Sequence, residues 1–154
     1  MHYDRDGLYF LGRTNIRYHE GQELRYERFL NWTSFSSLLL SSAAFVSLTP
    51  LLPAAWQPFL SASFALIVTT LNGAVLALGM LSKYTLHGDL KKEWMRFIAR
   101  LENMEDARLP EMVQAFHDLN TREPAGNDAD FAKAEAATRT AMGYPSAPAR
   151  ETLA

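Results

Sequence analysis

The chain of 154 residues contains no cysteine, which excludes disulfides, thiol catalysis and cysteine-based zinc or iron–sulfur sites. Equally absent is any Asp, Glu, Lys or Arg between Arg28 and Lys83, a gap of 54 residues from Phe29 to Ser82. Charged residues make up 21% of the whole, so one is expected about every five positions, and a gap of this length argues against a water-soluble domain there. The glycines stand singly, with no Gly-rich phosphate loop, nucleophile elbow or kinase pattern among them; catalysis has no support, and no cofactor or metal is expected. No strand-like alternation and no internal repeat is visible. The polar start, Met1-His2-Tyr3-Asp4-Arg5-Asp6, does not resemble a signal peptide, so the apolar segments are expected to stay in the mature protein.

What fills the charge gap is two apolar runs. Phe29–Thr49 has 21 residues, Phe59–Ser82 has 24, and between them Pro50, Pro53 and Pro58 break the chain. A helix needs about 20 residues to span about 30 Å of hydrocarbon at 1.5 Å per residue, so each run is long enough. The alternative, a buried hairpin in a soluble helical protein, calls for shorter helices with a wet, charged stripe. The first run carries Thr33, Ser34, Ser36, Ser37, Ser41, Ser42 and Ser47, whose hydroxyls can bond back to helical carbonyls and so cost far less in lipid than a charge. The predicted fold is an all-α membrane protein: a two-transmembrane hairpin (29–49 and 59–82, loop 50–58) with helical extensions at 1–28 and 83–143 and a loose tail at 144–154.

Orientation follows from the basic residues flanking the runs. Arg13, Arg17, Arg25 and Arg28 precede the first, Lys83, Lys91, Lys92, Arg96 and Arg100 follow the second, and the connecting loop has none. Lys and Arg are retained on the cytoplasmic side, so both ends are expected inside. Trp32, Trp56 and Tyr84 fall near the expected interfaces. The segment Leu8–Arg28 reads as helix, with Gly12 and Gly21 as its weak points. Beyond the second run, Leu86, Leu90, Trp94, Phe97, Leu101 and Met104 recur at three- and four-residue steps, which predicts a long helix with one apolar stripe that needs a partner. A shorter helix is expected from Pro110, with Met112, Val113, Phe116 and Leu119 on one face. Glu123–Asn127 reads as a loop, and Asp128 or Asp130 as the cap of a last helix reaching Met142 and stopped by Gly143.

The histidines are the residues most able to suggest chemistry. His19-Glu20-Gly21-Gln22-Glu23 looks in part like a zinc-protease helix, but the second histidine of that motif is missing and Gly21 is a poor centre for a rigid site; a solvated or interfacial charged turn is the expectation. His87 and His117 lack a second ligand at helical spacing and are expected to make polar or structural contacts. Asn31-Trp32-Thr33 matches a glycosylation sequon by chance, since it lies at the cytoplasmic boundary.

Along the second run Ser61, Ala65, Thr69, Gly73 and Ala77 recur every four residues with Asn72 beside them, and small residues at this spacing let helix backbones approach closely in lipid. Ser34, Ser37, Ser41 and Ala44 form a similar face on the first run, so the two runs can pack on each other. A hairpin has only one internal interface, however, and Asn72 is costly against lipid. Self-association, with these groups gluing subunits or lining a narrow pore, is therefore expected.

Several short steps in this chain are shared with known proteins: Arg17-Tyr18-His19-Glu20 before the first run, a Pro-containing loop between the runs, and Leu86-His87-Gly88-Asp89-Leu90 after the second. In these the chain resembles the two-transmembrane bacterial proteins of the SLATT type. It is also similar to small proteobacterial two-span membrane proteins through Phe97-Ile98-Ala99-Arg100-Leu101-Glu102, Glu123-Pro124 and Ala141-Met142-Gly143-Tyr144. The resemblance implies a pore-forming or membrane-disrupting effector of an antiviral defence system, assembled in the inner membrane. No fused nucleotide-sensing domain is visible, so the trigger is expected to be a partner protein or a direct contact. The expected partners are thus the lipid bilayer and further copies of the chain, with no nucleic acid. The rival reading is an accessory subunit that docks on a larger membrane complex through the stripe from Leu86 to Met104. A third, an enzyme using His87 and Asp89 at the membrane face, lacks a third polar group at helical spacing.

Overall fold

A computed structural model describes residues 3–42, 53–124 and 126–145. Every regular element among them is helical: α1 (Arg5–Ser41), α2 (Gln57–Ala77), α3 (Met80–Glu102), a 3-10 turn (Asp106–Arg108), α4 (Leu109–Thr121) and α5 (Asp128–Ala141). They form two compact units, one of residues 24–85 and one built from 1–23 together with 86–154. These are called here the apolar unit and the head unit.

The head unit is held by a conventional core. Leu8, Ile16, Trp94, Phe97, Ile98, Leu101, Met112 and Phe116 are buried together, with Tyr3, Leu11, Met104, Leu109, Val113 and Leu119 at the margin. Trp94, Phe97 and Phe116 meet edge-on or tilted, with ring centroids 5.5 to 6.2 Å apart, the arrangement that aromatic quadrupoles favour. The apolar stripe on α3 is thus largely spent inside the molecule: Leu90, Trp94, Phe97 and Leu101 are buried, the last three in one cluster with residues of α1 and α4. Leu86, its first expected member, stands 40% exposed.

The first half of α1 is enclosed on several sides. Gly12 passes close to Ile98 of α3, while Tyr18 and Gln22 meet Phe131 and Asp130 of α5. Its start is capped by Asp4, whose carboxylate accepts from Gly7 N at 2.8 Å. Arg5 donates to the terminal carbonyls of α3, Leu101 O and Glu102 O, at 2.9 Å each, placing a cation where that helix exposes unpaired acceptors. Residue Asn127, rather than Asp128 or Asp130, caps α5, its Oδ1 accepting from Ala129 N at 3.0 Å. At the far end Gly143 adopts φ +72 and stops the helix, as expected.

The apolar unit has a different character. In α2 no residue is fully buried, and among the described residues the large exposed apolar side chains, Leu86, Met95 and Tyr144 apart, all lie within 24–85. α2 is long and apolar enough to cross a membrane, with a mean hydropathy of 1.8, and is the one such helix among the described residues. Two boundaries differ from expectation. Helix α2 begins at Gln57, with Pro58 in its first turn, and ends at Ala77 instead of running to Ser82; Gly79 takes φ +59, a left-handed conformation that only glycine adopts at little cost, and the chain restarts as α3 at Met80. The first apolar run is the last part of α1, which is continuous from the charged segment to Ser41. The remainder of that expected span, 43–49, lies outside the described residues.

Candidate functional site

The described residues place Tyr18, His19, His87, Trp94 and Glu123 together inside the head unit. His19 comes from the middle of α1, His87 from the second turn of α3, and Glu123 from the connection between α4 and α5. His19 Nδ1 lies 2.9 Å from His87 Nδ1. His19 Nε2 lies 3.2 Å from Glu123 Oε1, and the same oxygen accepts from Trp94 Nε1 at 2.9 Å. Tyr18 packs against both imidazoles, with centroids at 5.2 Å from His19 and 6.1 Å from His87.

The hydrogen-bonding inventory assigns the protons. An ionised carboxylate only accepts, so His19 Nε2 is the donor to Glu123. In a neutral His19 ring Nδ1 is then the acceptor, and His87 Nδ1–H donates to it. The result is a directed chain from His87 through His19 to Glu123, where the indole of Trp94 supplies a second donor. Burial first, and then the neighbouring His19, lower the His87 pKa from its ordinary 6.5 to about 4, against the opposing pull of Glu123 and Glu23.

Charged groups surround this chain. Beneath Gly88 the carboxylate of Glu23 pairs with Lys91, and Gln22 donates to Asp130 of α5 at 3.1 Å. Arg122, next to Glu123, forks onto Glu93 of α3. The Tyr18 hydroxyl accepts from Asn127 N at 3.3 Å, which fixes the loop that carries Glu123.

The expected solvated turn at His19–Glu23 is corrected: His19 is 0% exposed and Gln22 is buried, while Glu20 and Gly21 face outward. No group of three or more His, Asp or Glu able to hold a metal occurs among the described residues. Asp89 is exposed and pairs with Lys92 at 3.2 Å, away from the partners of His87. His117 lies on the surface of α4, its ring against Tyr3 and Phe116. His19 is fully buried and His87 is 4% exposed, and the arrangement joins three segments through one shared proton network.

The small-residue face stands elsewhere. Ser61, Ala65, Thr69, Asn72, Gly73 and Ala77 are all exposed, while Leu60, Phe64, Val68, Leu71 and Val75 form the partly covered side of α2. Asn72 Nδ2 donates to Val68 O of its own helix at 3.0 Å, which satisfies one donor without a partner. On α1, Ser34 and Ser41 are exposed and Ser37 is half-buried; Ser41 Oγ donates to Ser37 O at 2.6 Å.

Sequence reasoning treated His19, His87 and Glu123 as separate, because no spacing rule relates positions 68 and 104 residues apart. The signal that was there is the set of short steps Tyr18-His19, Leu86-His87-Gly88-Asp89-Leu90 and Glu123-Pro124, which converge on this cluster. Comparison with protein-family models, with curated proteins and with solved structures finds no match.

Proposed function

We propose that this protein is a non-enzymatic integral membrane protein of the bacterial inner membrane, crossing it twice with both termini cytoplasmic. It self-associates through the Ser61, Ala65, Thr69, Gly73 and Ala77 face into a pore-forming or membrane-disrupting assembly of a defence system. The observation that carries this reading lies in α2: Leu60, Phe64, Val68, Leu71 and Val75 are partly covered inside the apolar unit, Phe59, Leu66, Ile67 and Leu76 are exposed, and so is the whole small-residue face with Asn72. In lipid such a face gains most from a second close-packed backbone. The head unit serves as the folded cytoplasmic part, and a trigger protein acting there completes the reading.

The accessory-subunit reading needs the α3 stripe free for docking. That stripe is occupied by α1 and α4 of the same chain, which favours self-assembly over docking through it. The test is the mass of the protein expressed alone and extracted into nanodiscs, followed by conductance in planar bilayers. A discrete homo-oligomer with conductance is the expected result; a monomer that enlarges only with a co-expressed complex overturns it.

A further inference from the structure

A hydrogen bond between two Nδ1 atoms at 2.9 Å needs one N–H and one lone pair, so it tolerates certain protonation states and forbids another. With both rings neutral, His87 donates to His19. With one added proton on His19, the ring still has partners for both of its N–H groups: Glu123 Oε1 at Nε2 and the unprotonated Nδ1 of His87. With a proton on both rings, two N–H groups face each other at 2.9 Å, the bond is lost and two cations repel inside a buried site.

We propose that the His19–His87 pair is a proton-sensitive latch, which fastens α1 to α3 in the head unit and opens when both rings are protonated. The groups facing the pair come from each packed element. On α1 they are Tyr18 and Glu23; on α3, Lys91 and Trp94; from the loop before α5, Glu123. Asp130 of α5 stands one step away on Gln22. Of the carboxylates, Glu123 touches His19 directly and Glu23 pairs with Lys91, while two N–H groups facing each other across the Nδ1–Nδ1 contact have no acceptor between them. The depressed pKa of His87, about 4, agrees with a second proton that enters only at the expense of the fold. The latch stands on the geometry of the head unit and does not depend on the pore reading.

The experiment is hydrogen exchange on the full chain in nanodiscs between pH 7.5 and 5.0, corrected for intrinsic rates, for the wild type and His87→Gln. Glutamine keeps a donor toward His19 Nδ1 and does not titrate. In the wild type, protection of residues 8–22 and 87–101 falls as the pH drops, by up to about tenfold per pH unit, the limit for one extra proton taken up on opening; in His87→Gln the fall is smaller. Unchanged protection in the wild type, or an equal fall in both proteins, overturns the latch. If His87→Gln does not fold, histidine-labelled wild type is titrated by NMR: a His87 ring that protonates near pH 6.5 with exchange protection intact also overturns it.

Discussion

A Cβ placed on Gly12 would lie 2.6 Å from Cδ1 and 3.2 Å from Cγ1 of Ile98, with Phe97 Cδ1 at 3.4 Å. This is the closest approach that α1 makes to α3 among the glycines of the head unit, and it sits over the buried core. Gly12→Ala is expected to destabilise the head unit by about 1–3 kcal/mol through overpacking, partly offset by about 1 kcal/mol of helix propensity. Gly21→Ala, at a helical position with nothing within 4 Å, is expected to stabilise by about 0.5–1 kcal/mol. Thermal melting of the two variants side by side checks both; if Gly12→Ala melts higher than the wild type, the close-approach argument is wrong.

Glu123 Oε1 accepts from both His19 and Trp94, so its removal leaves two buried donors unpaired. Glu123→Ala is expected to cost about 2–6 kcal/mol, since each of the two orphaned buried groups costs about 1–3 kcal/mol. Glu123→Gln keeps an acceptor oxygen and loses the charge, and is expected to cost less. Adding Trp94→Phe to Glu123→Ala removes one orphan, so the two losses should be less than additive in a denaturant-unfolding cycle. Strict additivity would mean that the indole does not depend on this carboxylate.

Stability of the head unit is expected to fall with acidity. The His87 pKa is lowered from 6.5 to about 4 on folding, so the unfolded state binds this proton first. The stability it represents is complete above pH 6.5, is lost as the pH falls from 6.5 towards 4, and changes no further below about 4 from this group. The slope is at most about 1.4 kcal/mol per pH unit. Chemical denaturation at pH 7.5, 6.5, 5.5 and 4.5 measures it, and a flat profile across that range contradicts the depressed pKa.

The exposed face of α2 sets a prediction for assembly. Gly73→Leu, which places a large side chain on the small-residue face, is expected to shift the nanodisc-extracted protein towards monomer by about tenfold or more in association constant, a change equivalent to about 1.4 kcal/mol. Asn72→Leu, which removes the polar group and adds a lipophilic one, is expected to weaken assembly or conductance, whereas a simple anchor would tolerate it. Leu66→Ala is the control on an exposed α2 position outside that face. Loss of assembly in the control and not in Gly73→Leu would relocate the interface.

How much of this was legible from residue order depends on the range of the interaction. The all-helical character follows from local periodicity and from the lack of any strand-like alternation, and the apolar nature of 29–82 from the absence of charge there. Pro110, Gly143 and the stripe expected from Leu86 to Met104 act within a turn or two of themselves, so pattern alone located them, although Leu86 stands exposed and Met104 falls past the end of α3. The cap of α5 was expected at Asp128 or Asp130, one or three residues late, because Asn127, Asp128 and Asp130 have similar capping chemistry, and the backbone conformation of Asn127, φ −93 and ψ 110, selects it.

Residue order alone determined the segregation of the chain into charged and charge-free stretches, because desolvation of charge is a property of each residue wherever it sits. Tertiary structure decided what the stripe packs on, and it decided that His19, read locally as part of a charged turn, is fully buried beside His87 and Glu123. A helical position with polar neighbours can face water or a core, and the choice rests on which distant helix arrives with a complementary proton donor or acceptor. For His19 that helix is α3, and the partner is the imidazole of His87.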